Sequence, residues 1–162
     1  MAVGAVLLRQ VRAAVAKYHS FEQAKRDGYT VEGEPCVASP GGAMGIHAVN
    51  PALLADDAID IDQPEILLYV PKDNGKLALV GVEYWKVALT ATGPWFGPTS
   101  PTGGFVTPNP VLFGRTFDGP MQGHNPPPPA PQLMPWHYDM HVWVAEENPS
   151  GVFALFNPAL SC

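Results

Sequence analysis

The stretch EILLYVPKDNGKLALVGVEYWKV, residues 65–87, decides the fold. Two apolar runs, 65–70 and 77–87, flank Lys72-Asp73-Asn74-Gly75. Asn-Gly between such runs signals a hairpin, because both residues tolerate the left-handed backbone a tight turn needs. Each run is apolar at nearly every position, so both faces of these strands are expected to be covered. On the second run, strict alternation puts Leu77, Leu79, Gly81, Glu83 and Trp85 on one face. Glu83 is then an ionisable group in an apolar strand. A buried carboxylate needs a cation, a hydrogen-bond network or a raised pKa.

Upstream of the hairpin, Leu7, Val11, Ala14, Val15, Tyr18 and Phe21 recur at threes and fours and predict a helix over 3–27. Asp27-Gly28 is its expected stop, with His19 on its surface. AMGIHAV, residues 43–49, is a short strand ended by Asn50-Pro51, and NPALLADD is one helical turn with Pro51 at its first position. Cys36 is expected in a Pro-flanked loop.

Downstream, residues 90–135 hold much of the Pro and Gly of the chain, together with Trp95, Phe96, Phe105, Phe113 and Phe117. This is expected to be a long excursion of little regular structure that packs over the domain, since it is too aromatic for a free linker. Its PPPP run, 126–129, is expected to be an exposed polyproline II segment. HYDMHV is a further strand, and GVFALFNPALSC closes the chain with a short strand and an irregular tail. The whole, residues 1–162, reads as a single α+β domain. An N-terminal helix (1–28) packs on a curved, mostly antiparallel sheet or partial barrel, interrupted by the 90–135 excursion.

The 162-residue chain is long enough for a hydrophobic core. Only 15% of it is charged, well under the usual quarter, and the formal net charge is −6. With no basic cluster, nucleic acid and anionic membranes are poor partners. No apolar run approaches the length of a membrane span. MAVGAVLLRQVRAAVAKYH has too short an apolar stretch, followed too closely by charge, to read as a signal peptide. An exported chain would therefore be a trimmed, mature form. The two cysteines, Cys36 and Cys162, either pair and clip the end of the chain to an early segment or are two unrelated thiols. A pairing would imply a secreted or periplasmic setting.

Four of the five histidines lie outside the helix: His47, His124, His137 and His141. His47, His137 and His141 sit on strand candidates, and a sheet that curls inward can aim them, with Glu83, at one centre. Imidazole and carboxylate are the ligand set of copper, iron, zinc or manganese. In HYDMH, His137, Asp139 and His141 share a strand face, but the two imidazoles stand about 13 Å apart in a flat strand. One ion takes both only if the strand is bent or bulged. Otherwise one of them binds and the other supports, with Asp139 orienting a ligand ring. His124, in the excursion, is a lid ligand, a proton shuttle or an exposed loop residue. Glu83, Asp139 and His124 are thus the candidate catalytic groups, and Trp85, Trp95, Trp136 and Trp143 the candidate pocket walls. No G-x-S-x-G elbow, P-loop or C-x-x-C occurs.

The segments GIHAVNPALL, PEILLYVP, LVGVEYW, LFGRTFDGPMQGH, HYDMHVWV and FNPALSC resemble a family of small uncharacterised bacterial proteins, often exported, that share G-x-H-x-x-N-P and H-Y-D-x-H-x-W motifs. The resemblance covers most of the chain. It implies a mature exported domain containing both cysteines, and no particular activity. Three functions are therefore expected to compete. The first is a mononuclear metalloprotein that binds copper, iron or zinc, acting on a small-molecule substrate as an oxidoreductase or hydrolase if it is an enzyme. The second is a binding protein with an aromatic- and His-lined pocket for a small organic or carbohydrate ligand. The third is a surface domain docking through the PPPP segment.

Overall fold

The structure, a computed structural model, describes residues 3–123 and 134–162. It is α+β, with an antiparallel six-stranded sheet as its main element. The chain falls into two compact units, residues 1–84 with 141–162 and residues 85–140.

In the first unit the expected single helix is two. Helix α1 spans Val3–Val15, a 3-10 turn follows over Ala16–His19, and α2 spans Phe21–Arg26. Ser20 causes the break. Its backbone is extended (φ −87°, ψ 109°) and its side chain accepts the Gln23 N–H, starting a new helix instead of continuing the old one. Gly28 ends α2 at φ +102°, as the Asp-Gly pair indicates. The apolar stripe still works across the break, since Val11, Val15, Tyr18 and Ala24 are all buried.

The hairpin forms where expected: β3 is Ile66–Pro71 and β4 is Leu77–Val87. Gly75 supplies the left-handed backbone (φ +76°), and Lys72 and Lys76 close the turn with a 2.8 Å hydrogen bond. Tyr69 of β3 reaches back to the helices. Its hydroxyl donates to the Tyr18 carbonyl at 2.6 Å, and its ring meets Phe21 edge-on. Tyr29 and Tyr84 likewise donate to the carbonyls of Pro64 and Ile61. Burial pushes all three phenols up, so they stay neutral donors.

Strict alternation fails in β4. Leu68 faces Gly81, yet Tyr69 faces Leu79, so Val80 is an extra residue. The bulge flips the faces. Leu79 and Leu77 pair across from Tyr69 and Pro71, on the helix side, whereas Gly81 and Glu83 pair across from Leu68 and Ile66 on the other. The single stripe expected from Leu77 to Trp85 is therefore split.

Strand β2, Gly42–Val49, pairs with β3, and β1, Cys36–Ser39, pairs with β2. Cys36 thus lies on an edge strand, not in the expected loop. Asn50 ends β2 and caps the turn α3, Pro51–Ala55, by accepting the N–H groups of Ala52 and Leu53. Strand β10, His137–Val142, lies beside β4 and, with β9 (Asp118–Met121), gives the order β1-β2-β3-β4-β10-β9.

The short strand expected in GVFALF does not form. Asn148 and Asn157 donate their side-chain amides to the carbonyls of Phe156 and Glu147, and only Asn157 pairs with a strand residue, Ala43. Side-chain bonds there replace a ladder. The tail ends in a disulfide from Cys162 to Cys36, with Cα atoms 5.8 Å apart, so the cysteines pair.

The second unit carries the excursion. It holds the two-residue strands β5 (Leu89–Thr90), β6 (Gly93–Pro94), β7 (Val111–Leu112) and β8 (Arg115–Thr116), and a longer one, β9 (Asp118–Met121), that sequence patterning missed. β9 pairs with the first half of β10 across a bulge at Gly119-Pro120. Three aromatics are held by contacts within this unit. The indoles of Trp95 and Trp136 donate to the carbonyls of Thr99 and Gly97, and Trp136 packs on Phe105. His124 and the PPPP run lie outside the described residues.

Candidate metal centre

The first unit brings His47, Glu83 and His141 together from three strands. The register explains how. His47 on β2 faces Leu68, which faces Gly81 on β4, and Glu83 is two residues beyond Gly81 on the same face. The helices occupy the opposite face, with Tyr69. β2 and β4 are separated by β3, so their backbones stand roughly 10 Å apart. The His47 and Glu83 side chains span that gap, and His47 Nε2 lies 3.2 Å from Glu83 Oε2. From the other side of β4, His141 Nε2 comes within 3.5 Å of the same oxygen. The two imidazoles stand edge-on, with centroids 6.4 Å apart and planes at 89°.

All three side chains are buried, at 6%, 3% and 2% exposure for His47, Glu83 and His141. Each offers one ligand atom, and the three lie within 4.8 Å of one another. This spacing has a chemical meaning. Ligand atoms about 2.0–2.1 Å from a zinc-sized ion sit about 3.3 Å apart in a tetrahedron and about 2.9 Å apart at adjacent octahedral positions. Two of the three edges, at 3.2 and 3.5 Å, straddle the tetrahedral value, and the group as a whole lies within 4.8 Å. The chemistry of the set fits as well. Imidazole and carboxylate donors suit a borderline divalent ion, and an ion there would supply positive charge beside a buried carboxylate. Three protein ligands also leave positions for a non-protein group, as catalytic zinc and non-haem iron sites do.

The other expected site residues fall elsewhere. His137 and Asp139 belong to the second unit, where His137 Nε2 is 3.4 Å from Asp139 Oδ2. The His137 ring stacks on Trp85 at 5.3 Å and 24°. Its Nδ1 lies 3.0 Å from the Pro135 carbonyl, which can only accept, so Nδ1 carries a proton. Among the described residues the group that could hold a metal ion consists of His47, Glu83 and His141. The four tryptophans divide between the units: Trp143 in the first, its indole donating to the Ala154 carbonyl, and Trp85, Trp95 and Trp136 in the second.

Two surface clefts of the first unit, about 590 and 900 Å³, are lined without a histidine. The larger holds a closed network. Tyr18 donates to Asp27 at 2.8 Å and Lys17 pairs with the same carboxylate at 3.1 Å. The Tyr18 hydrogen bond, then Lys17, hold the Asp27 carboxyl below its ordinary range. Among the described residues, no helix is long and apolar enough to cross a membrane.

No protein-family model, curated protein or solved structure matches the chain.

Proposed function

We propose that the chain is an exported metalloprotein that binds one divalent first-row ion through His47, Glu83 and His141. The observation that carries this reading is the shared oxygen of Glu83, with an imidazole nitrogen at 3.2 Å on one side and at 3.5 Å on the other, all buried. Zinc, iron and copper each accept this ligand set. Bound there, the ion would act as a Lewis acid or redox centre toward water or oxygen at its remaining positions. Glu83 would neutralise part of its charge, and the edge-on imidazoles would fix its place on the face away from the helices. The substrate class is a small molecule. Glu83, Asp139 and His124 are the proposed catalytic groups.

The Cys36–Cys162 disulfide supports an oxidising compartment, secreted or periplasmic. Elemental analysis of untagged protein tests the proposal, alongside His141→Ala. Near-stoichiometric metal in the wild type that is lost in the folded variant is the expected result. No metal in either, after incubation with copper, zinc, iron and manganese, would overturn it.

A further inference from the structure

The ligand set explains what can bind an ion, but not what holds His141 on β10 at ligand distance from Glu83 on β4. We infer that Gly81 is a positioning residue of this centre, an inference that rests on the metal reading above. Gly81 lies on the site face, two residues before Glu83. A Cβ built there would meet the Val142 carbonyl oxygen at 2.9 Å and the Trp143 Cα at 3.5 Å. The tight contact, at 2.9 Å, is with backbone, which cannot swing aside as a side chain would; the Trp143 Cα and the Leu68 Cδ1, both at 3.5 Å, are in ordinary packing contact. Val142 directly follows His141, and the strand carrying the ligand therefore approaches β4 as closely as the missing Cβ permits.

The β4 bulge reinforces the same seam. Val80, the extra residue, turns its carbonyl to accept the N–H groups of both Ala145 and Glu146, at 3.2 and 3.1 Å. One strand irregularity thus does two things. It returns Gly81 and Glu83 to the site face, and it ties down the chain just after His141. Gly81 does not lie in the left-handed region, so alanine meets no backbone penalty there and the steric contact is tested alone. Relieving a 2.9 Å contact to ordinary packing moves the backbone by roughly half an ångström, whereas metal–ligand distances are held to about 0.2 Å. A shift of that size beside His141 opens the 3.5 Å edge.

The experiment compares wild type, Gly81→Ala and Gly4→Ala as full-length, metal-stripped protein. Co²⁺ is the probe, read by its affinity and by its visible d–d absorption. Gly4 has nothing within 4 Å of an added Cβ, so its variant should behave as wild type. Gly81→Ala should bind Co²⁺ roughly 10- to 100-fold more weakly, the range for residues that support a ligand, with an altered band intensity. A folded Gly81→Ala with wild-type affinity and spectrum overturns the role of Gly81, even if its melting temperature falls. A wild type that takes up no Co²⁺ overturns the metal reading and this inference with it. If Gly81→Ala does not accumulate as folded protein, Ala145→Pro removes one of the two donors to Val80 instead. It should weaken Co²⁺ in the same direction, and unchanged binding overturns the role of the seam.

Discussion

Glu83→Gln separates a metal centre from a hydrogen-bonded cluster of buried side chains. Glutamine keeps the volume of Glu83 and one carbonyl oxygen near both imidazoles, but removes the anionic ligand. The candidate ligand atoms come from β2, β4 and β10, so an ion held by them would bind the folded chain and not the unfolded one. At free metal 100-fold above Kd, that linkage stabilises the fold by about 2.7 kcal/mol. For a chain of this size, it corresponds to a melting temperature raised by roughly 5–10 °C. A variant whose affinity falls by about 100-fold, at the same free metal, retains only about 0.4 kcal/mol, or roughly 1–2 °C. The assay is thermal unfolding of metal-stripped wild type and Glu83→Gln, with and without Zn²⁺, Cu²⁺, Fe²⁺ or Mn²⁺. A rise of several degrees with at least one ion in the wild type, nearly absent in the variant, is expected. A wild type that no ion shifts, or a variant shifted as much as wild type, would refute the reasoning.

Two further outcomes follow from features outside the centre. Replacing Cys36 and Cys162 by serine opens a crosslink spanning 126 residues of sequence; chain entropy assigns such a loop up to about 5 kcal/mol, so the denaturant midpoint should fall with the secondary structure retained, and an unchanged midpoint would mean the tail is held by Asn157 and Ala43 alone. Asp27→Asn should destabilise at neutral pH and progressively less in acid. The folded pKa of Asp27 is lowered, so its contribution is present above the unfolded value and lost as pH falls through the folded one. A wild-type-minus-variant stability difference that does not change with pH between neutrality and acid would contradict that sign.

The hairpin was legible because its signals are local: Asn74-Gly75 between two apolar runs fixes turn and strands together. The Asn50-Pro51 cap, the Gly28 stop and the α+β class were legible for the same reason. The missed elements depend on contacts that period and propensity do not encode. Ser20 divides a helix whose apolar stripe continues across the break, so periodicity alone reads one helix. The Val80 bulge is set by what lies beside β4, which no alternation pattern reveals. β9 runs through Asp118-Gly119-Pro120-Met121, whose Gly-Pro pair carries no strand signal. At the site, Glu83 stood out as a carboxylate in an apolar strand, and His47 and His141 as imidazoles on strand candidates. Grouping them with His137 reflected their common spacing in HYDMH. The structure brings His141 to Glu83 and His47, and His137 to Asp139 and Trp85. Gly81 carried a faint signal as the glycine two residues before the one buried carboxylate of its strand, but its meaning rests on β10, a partner distant in sequence.

The most direct test is anomalous diffraction from crystals of metal-loaded protein, collected at the absorption edge of the bound ion. The account expects one dominant peak per chain, about 2.0–2.2 Å from a nitrogen of His47, a nitrogen of His141 and a carboxylate oxygen of Glu83. A loaded crystal with no peak among these three residues, or with its peak at His137 and Asp139 instead, would contradict it.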